Sequence, residues 1–337
     1  MAACRPPVSG RSVQRFRRVA LVCLVLGFVH VEARQTAAPV PTETTAPDIP
    51  GVVTGGTKVE LVASGLRGTE GPIAAPDGTL LFTEQDANRV SRIDASGRVT
   101  PYLSNTNGTI GLAFDRLGRL IAAQTTNPQI AVLSPTRDVL ADSFEGQALL
   151  RPNDLTIDRN GGIYFSDPGP PPQPGVTLDL PRKPAVFYIR SESDVVKVAE
   201  DIERPNGVLL SPDERVLYVA NTLGDSVIAF DVESDGILKN RRSFARLEGV
   251  VKTETGVRSG ADGLAVDSAG RLYVATSAGI QIFSAQGTRL GIIPIGIANG
   301  PQNLAFAGPE KKTLYVVGRN AAWKIAMQSQ GLKDRAK

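Results

Sequence analysis

From residue 70 onward one pattern of polar and apolar positions recurs along the chain. A small polar turn leads into a short apolar run, a turn containing Asp or Gly interrupts it, and a second apolar run follows. The copies are EGPIAAPDGTLLFTE (70–84), IGLAFDRLGRLIAAQ (110–124), NDLTIDRNGGIYFSD (153–167), NGVLLSPDERVLYVAN (206–221), DGLAVDSAGRLYVAT (262–276) and QNLAFAGPEKKTLYVVG (302–318). The turn acids Asp77, Asp115, Asp158, Asp213 and Asp267 lie 38, 43, 55 and 54 residues apart, and the last turn, near Pro309, follows after 42. Each interval is long enough for four antiparallel strands. RVSRID, IAVLS, VFYIR, VIAFDV and IQIFS supply further strand segments in the gaps.

Strand residues punctuated by turns, with few helical stretches, predict an all-β fold. Repeats of this length with four strands each predict a propeller, and six copies predict six blades. The sixth copy runs out of chain after AAWKIA, so KVELVA (58–63) is expected to supply its missing strand and close the ring. A pair of packed sheets is the competing architecture, but the regular self-similarity argues against it.

Charge is unevenly placed. The formal net charge is +3, but residues 1–33 hold five of the 37 Lys+Arg and one of the 34 acids. The remainder is close to neutral, which gives no reason to expect a nucleic-acid partner. Arg15, Arg17 and Arg18 precede an apolar run from Val19 to Val31, followed by Val31-Glu32-Ala33. Basic segment, short apolar core and small residue at the cut describe a cleavable signal peptide over 1–33. The run is too short for the ~20 residues that span a bilayer; an uncleaved anchor is the alternative. A secreted or periplasmic protein, monomeric and without stable membrane association after cleavage, is therefore expected. Residues 34–54, rich in Pro and Thr, read as a disordered linker. The propeller is expected over 55–328 and a fraying polar tail over 329–337.

Cleavage would remove His30, Cys4 and Cys23, the only histidine and cysteines. A Ser-His-Asp triad, a cysteine nucleophile, a disulfide and a thiolate metal site are then all excluded. Catalysis must rest on oxygen and nitrogen side chains or on a metal held by oxygen.

The residues that open the six copies are Glu70, Ile110, Asn153, Asn206, Asp262 and Gln302. In a propeller, equivalent positions are related by rotation about the central channel, so these converge at one mouth. Five of the six carry amide or carboxylate oxygens. Such a ring, with no basic residue in it, needs a cation or many waters. Two carboxylates with amide oxygens form a hard, all-oxygen site that suits Ca²⁺; Zn²⁺, Mg²⁺ and Mn²⁺ are the other divalent candidates. A structural ion, or amides that simply hold the loops, is the bland alternative, since Asn and Asp are also ordinary turn residues.

The stretches EGP (70–72), RPNDLTIDRNGGIYFSDP (151–168), RPNGVLLSPDERVLYVANT (204–222) and ADGLAVDSAGRLYVAT (261–276) resemble the regucalcin/gluconolactonase-like calcium propellers. The resemblance implies a six-bladed propeller with one divalent metal in its tunnel. It implies metal ligands at Glu70, Asn206 and Asp262, and a metal or substrate ligand at Asn153. It also implies a proton acceptor or nucleophile at Asp262 and a substrate contact at Arg151. Enzymes of this kind mostly hydrolyse lactones, and some hydrolyse organophosphates. The sequence departs from the bacterial gluconolactonase pattern at Ile110, where Asn is usual, and near Gln124, where a His is usual. The loop after Asp167 is PGPPPQPG, where the regucalcin branch carries a substrate-binding acid.

The expected activity is metal-dependent opening of lactones, most naturally sugar aldonolactones, with a small molecule as the only partner. Hydrolysis of phosphotriesters or other esters at the same metal, and a non-catalytic binding propeller with a structural calcium, are the competing readings. Asp167 reads as a turn acid or as a support to the site, the five other turn acids as structural, and Trp323 as core.

Overall fold

The computed structural model describes residues 40–173, 179–190, 194–254 and 256–335. The signal-peptide expectation for 1–33 lies outside the described residues.

The fold is a six-bladed β-propeller. Blade 1 runs from Thr69–Ala74 to Val99–Ser104, blade 2 from Thr109–Phe114 to Asp138–Ala141, and blade 3 from Leu155–Ile157 to Val195–Ala199. Blade 4 runs from Pro205–Leu210 to Leu238–Arg246, and blade 5 from Leu264–Val266 to Arg289–Ile293. Blade 6 opens with Asn303–Ala307 and takes its fourth strand, Lys58–Ser64, from the other end of the chain. That strand pairs antiparallel with Ala321–Ala326, matching Val59 to Ile325 and Leu61 to Trp323. The innermost strands neighbour one another in cyclic order, and blade 6 returns to blade 1. The ring is closed by KVELVA as the sequence predicts.

The apolar runs are continuous because each inner strand is buried on both faces. In LLF, Leu80 and Phe82 pack toward blade 6, whereas Leu81 packs toward blade 2. Tyr164 and Phe165 split likewise between blades 4 and 2. The core is thus six clusters, one at each junction between neighbouring blades. The five turn acids are structural: each Oδ1 accepts an amide two residues on, as Asp115 does from Leu117 and Asp158 from Asn160.

Two terminal segments differ from expectation. Residues 40–54 are not a free linker. Thr44–Thr45 adds a fifth strand outside Lys58–Ser64, and Ala46, Ile49, Val52 and Val53 are buried in the blade 5–6 core. Four apolar side chains within a Pro/Thr-rich stretch suffice to cover an outer edge, and overall composition masks them. The tail is also docked. Ser268 N donates to Gln330 O (2.7 Å), Gly331 N to Lys311 O (2.9 Å), and Arg335 pairs with Glu214 (2.6 Å). Residues 329–335 therefore tie blades 5, 6 and 4 together at the turn-acid end of the ring. Its polar side chains and backbone have partners there, so polarity does not mean fraying.

The opposite face carries the residues that open the six copies. There each first strand begins and each second strand ends, as Thr69 opposite Glu84 shows. The long insertions also lie on this face. They are the hairpin Ser143–Phe144 with Gln147–Ala148, residues 168–173 after Asp167, and the hairpin Val251–Thr253 with Gly256–Arg258.

Candidate functional site

The six opening residues stand at the head of the innermost strands, and hydrogen bonds tie several of them to neighbouring blades. Gln302 Nε2 donates to Glu70 Oε1 (2.9 Å), and Gly263 N, beside Asp262, donates to Gln302 O (2.8 Å). Asn206 Nδ2 donates to Thr222 Oγ1 (3.1 Å), whose hydroxyl donates to Ala261 O (2.7 Å), which fixes the amide with its oxygen as the other end. Ile110 adds only a carbonyl, which accepts from Thr83 Oγ1 (3.0 Å).

The next residue along the chain in each copy explains why the column is so tight. It is Gly in four blades, because the neighbouring blade's backbone leaves no room. A Cβ on Gly207 would sit 2.3 Å from Asp262 O, and one on Gly71 would sit 2.0 Å from Ile110 O. In blades 3 and 6 that position holds Asp154 and Asn303, which bridge to the next blade instead. Val208 N donates to Asp154 Oδ2 (3.2 Å), and Asn303 Nδ2 donates to Glu70 Oε2 (3.2 Å). Sequence reasoning passed over both residues. The signal was available: NDL and QNL break a pattern of EG, IG, NG and DG.

Three oxygens in the column have no protein partner. They are Asn153 Oδ1, Asn206 Oδ1 and Asp262 Oδ1, each sealed from solvent. Among the described residues only one other buried side-chain oxygen, Thr106 Oγ1, is in that state, so the defect is concentrated here. A buried polar atom without a partner costs about 1–3 kcal/mol, and an anionic one more. The donor set is entirely oxygen, and Asp262 makes no ion pair among the described residues. Burial of its carboxyl, followed by the Glu70 carboxylate, pushes the Asp262 pKa well above the usual carboxylate range; Arg319 and Arg204 pull it back. A hard divalent cation among these oxygens would satisfy all three and reverse that electrostatic penalty. The residues present therefore fit the group that the resemblance implies. Among the described residues no cluster of three or more His, Cys, Asp or Glu suits a metal, so the amides of Asn153 and Asn206 are essential to this fit.

Arg151 is half-buried two residues before Asn153. Its guanidinium reaches toward blade 1, where it donates to Gln85 Oε1 at 3.4 Å, and it lies within electrostatic reach of Glu70 and Asp262. Its backbone is set by Asp167, which is fully buried and accepts from Leu150 N, Arg151 N and Arg182 Nη2. Asp167 thus supports the loop that carries Arg151. Gln124, where a His is usual in the bacterial pattern, spends its amide on Thr106 O and Asn107 Nδ2 and holds a loop. Arg204, unremarked in the sequence, is buried, and its guanidinium donates to the carbonyls of Pro168 (3.2 Å), Pro170 (3.0 Å) and Gly169 (3.4 Å). It anchors the start of the proline-rich loop to the rim.

Fold and site together define a six-bladed propeller with an all-oxygen cluster at one mouth of its channel. The chain belongs to the family described as the SMP-30/Gluconolactonase/LRE-like region, which matches residues 68–319. It is 25% identical over 310 residues to a gluconolactonase of Zymomonas mobilis, covering 85% of this chain and 86% of that protein. It is 25% identical over 264 residues to regucalcin of Xenopus laevis, covering 76% and 85%. Among solved structures, a gluconolactonase from Xanthomonas campestris superposes with a TM-score of 0.70 at 26% identity, covering 86% of this chain and 99% of that one.

Proposed function

We propose that the protein is an exported, metal-dependent hydrolase that opens lactones at the channel mouth, with aldonolactones as its first candidates. The observation that carries this reading is the set of three partnerless oxygens at Asn153, Asn206 and Asp262. Family membership and the relatives named gluconolactonase support the reaction class. The leader read in residues 1–33 supports a secreted or periplasmic location.

Glu70, Asn153, Asn206 and Asp262 would hold the cation, calcium before other divalent ions. When bound, it would polarise a lactone carbonyl and offset the charge that builds on its oxygen. Asp262 is the residue for the proton. Its carboxylate takes one from the attacking water, or itself attacks the carbonyl carbon, breaking the ring C–O bond to give an acyl-enzyme that water then hydrolyses. Arg151 orients the substrate's polar groups or the carboxylate released, and Asp167 keeps it in place. Gln302 and Asn303 hold Glu70 in position from blade 6.

Acid release from a panel of aldonolactones near neutral pH is the test, before and after chelation and with calcium restored. The expected result is activity that disappears with chelator and returns with calcium. Lactone hydrolysis indifferent to chelation would overturn the metal role. Silence toward lactones with turnover of a phosphotriester or simple ester would move the substrate class, and binding without any turnover would leave a binding propeller.

A further inference from the structure

The position two residues before each opening residue is Gly68, Gly108, Arg151, Arg204, Gly260 and Gly300. The four glycines share one backbone conformation, with φ of +63, +64, +65 and +69°. That left-handed geometry favours glycine and places no side chain at the rim. The two arginines occupy the same ring position on adjacent blades 3 and 4. Each is followed by proline, Pro152 and Pro205, which holds the preceding residue extended. At this ring position four blades therefore carry no side chain of their own, and the two adjacent blades 3 and 4 carry long cations side by side.

Neither cation is neutralised by contact. Among the described residues, neither Arg151 nor Arg204 makes an ion pair. Arg204, though buried, donates only to the neutral carbonyls of Pro168, Gly169 and Pro170. Arg258 and Arg319, both exposed and likewise outside any ion pair among the described residues, lie within electrostatic reach of Arg204 and Asp262 respectively. The acids facing this cluster are Glu70 and Asp262, which a divalent cation would neutralise, and Asp86, which is exposed and screened. A buried guanidinium without a carboxylate is costly unless an anion joins it.

We propose that the substrate carries a fixed anionic group, a carboxylate or a phosphate, away from its lactone bond, and that Arg151 binds this group at the blade 3–4 side of the mouth. Arg204 is a positioning residue: it fixes the rim at Pro168–Pro170 and adds to the positive field that Arg151 presents. This rests on the lactone-hydrolase reading and narrows its substrate class. The guanidinium fork suits either anion, because both present two coplanar oxygens.

The test compares the calcium-loaded protein on glucono-δ-lactone, a neutral substrate, on glucaro-γ-lactone, which bears a carboxylate, and on phosphogluconolactone. One anionic lactone is expected to exceed the neutral one in kcat/KM by about tenfold, through a lower KM. The better of the two identifies the anion, and added salt shrinks the advantage. Arg151→Gln is expected to abolish the anionic-to-neutral ratio and Arg151→Lys to retain most of it. Arg204→Gln is expected to reduce the ratio and Arg204→Lys to restore it. A neutral lactone equal to both anionic ones, or a ratio that survives Arg151→Gln, would overturn the proposal. Calorimetric binding of glucarate and 6-phosphogluconate against gluconate separates this proposal from the activity itself. If no lactone is hydrolysed, a preference for glucarate or for 6-phosphogluconate over gluconate that Arg151→Gln removes still supports it, and equal binding of all three overturns it.

Discussion

Asp262→Asn is expected to lower kcat/KM for lactone opening by about 10²–10⁴-fold, the range for losing a positioned proton acceptor. The fold should persist, because the substitution keeps the side chain's shape and leaves the bond from Asp262 N to Ala275 O untouched. The metal-free variant is expected to be at least as stable as the parent near neutral pH. The Asp262 pKa is raised by burial and by Glu70, so its ionised form weighs against the folded state once pH exceeds the ordinary carboxylate range. Asn removes that charge. Site residues that cost stability and carry chemistry are a common trade. Kinetics with circular dichroism and thermal unfolding checks both parts. Unchanged kcat/KM would remove Asp262 from the chemistry, and a collapsed fold would make it structural.

Trp323→Ala is expected to cost about 3–5 kcal/mol of stability. Trp323 is fully buried in the blade 5–6 core, in the cluster that also holds Tyr273, Phe306 and the N-terminal residues Ile49 and Val53. It sits on the strand that receives Lys58–Ser64, so it stands at the seam where the two ends of the chain meet. Its Nε1 also donates to Thr42 O (2.9 Å), and truncation leaves that carbonyl without its donor. Denaturant unfolding followed by circular dichroism measures the loss. A cost below about 1 kcal/mol would mean the seam contributes little to holding the ring shut.

The propeller was legible because its signal repeats. Six copies of one two-strand pattern, with turn acids at regular intervals, fix the blade number. The orphan pair AAWKIA and KVELVA reveals the closure. The column Glu70, Asn153, Asn206, Asp262 and Gln302 was legible for the same reason, since rotation converts a shared repeat position into a shared place. What escaped was whatever did not repeat. Ile49, Val52 and Val53 serve one edge of one blade, and their stretch looks like linker by composition. The tail residues Gln330 and Arg335 find partners on blades 4 to 6 that no local pattern announces. Asp154 and Arg204 sit at repeat positions where glycine is the rule, so they show only once those neighbouring columns are aligned as well. Asp167 was placed between turn and support; the structure shows that it holds the Arg151 loop.

The central claim is that the partnerless oxygens of Asn153, Asn206 and Asp262 form a divalent-cation site. Calorimetric titration of the chelator-treated protein with calcium tests it most directly, on the parent chain and on a variant combining Asn153→Ala with Asn206→Ala. The account predicts one site per chain in the parent. Binding should be tighter as pH rises, because the cation competes with the proton that the raised pKa of Asp262 favours. It also predicts loss of that binding in the double variant, with the fold retained. Absence of calcium binding by the parent, or undiminished binding by the double variant, would contradict it.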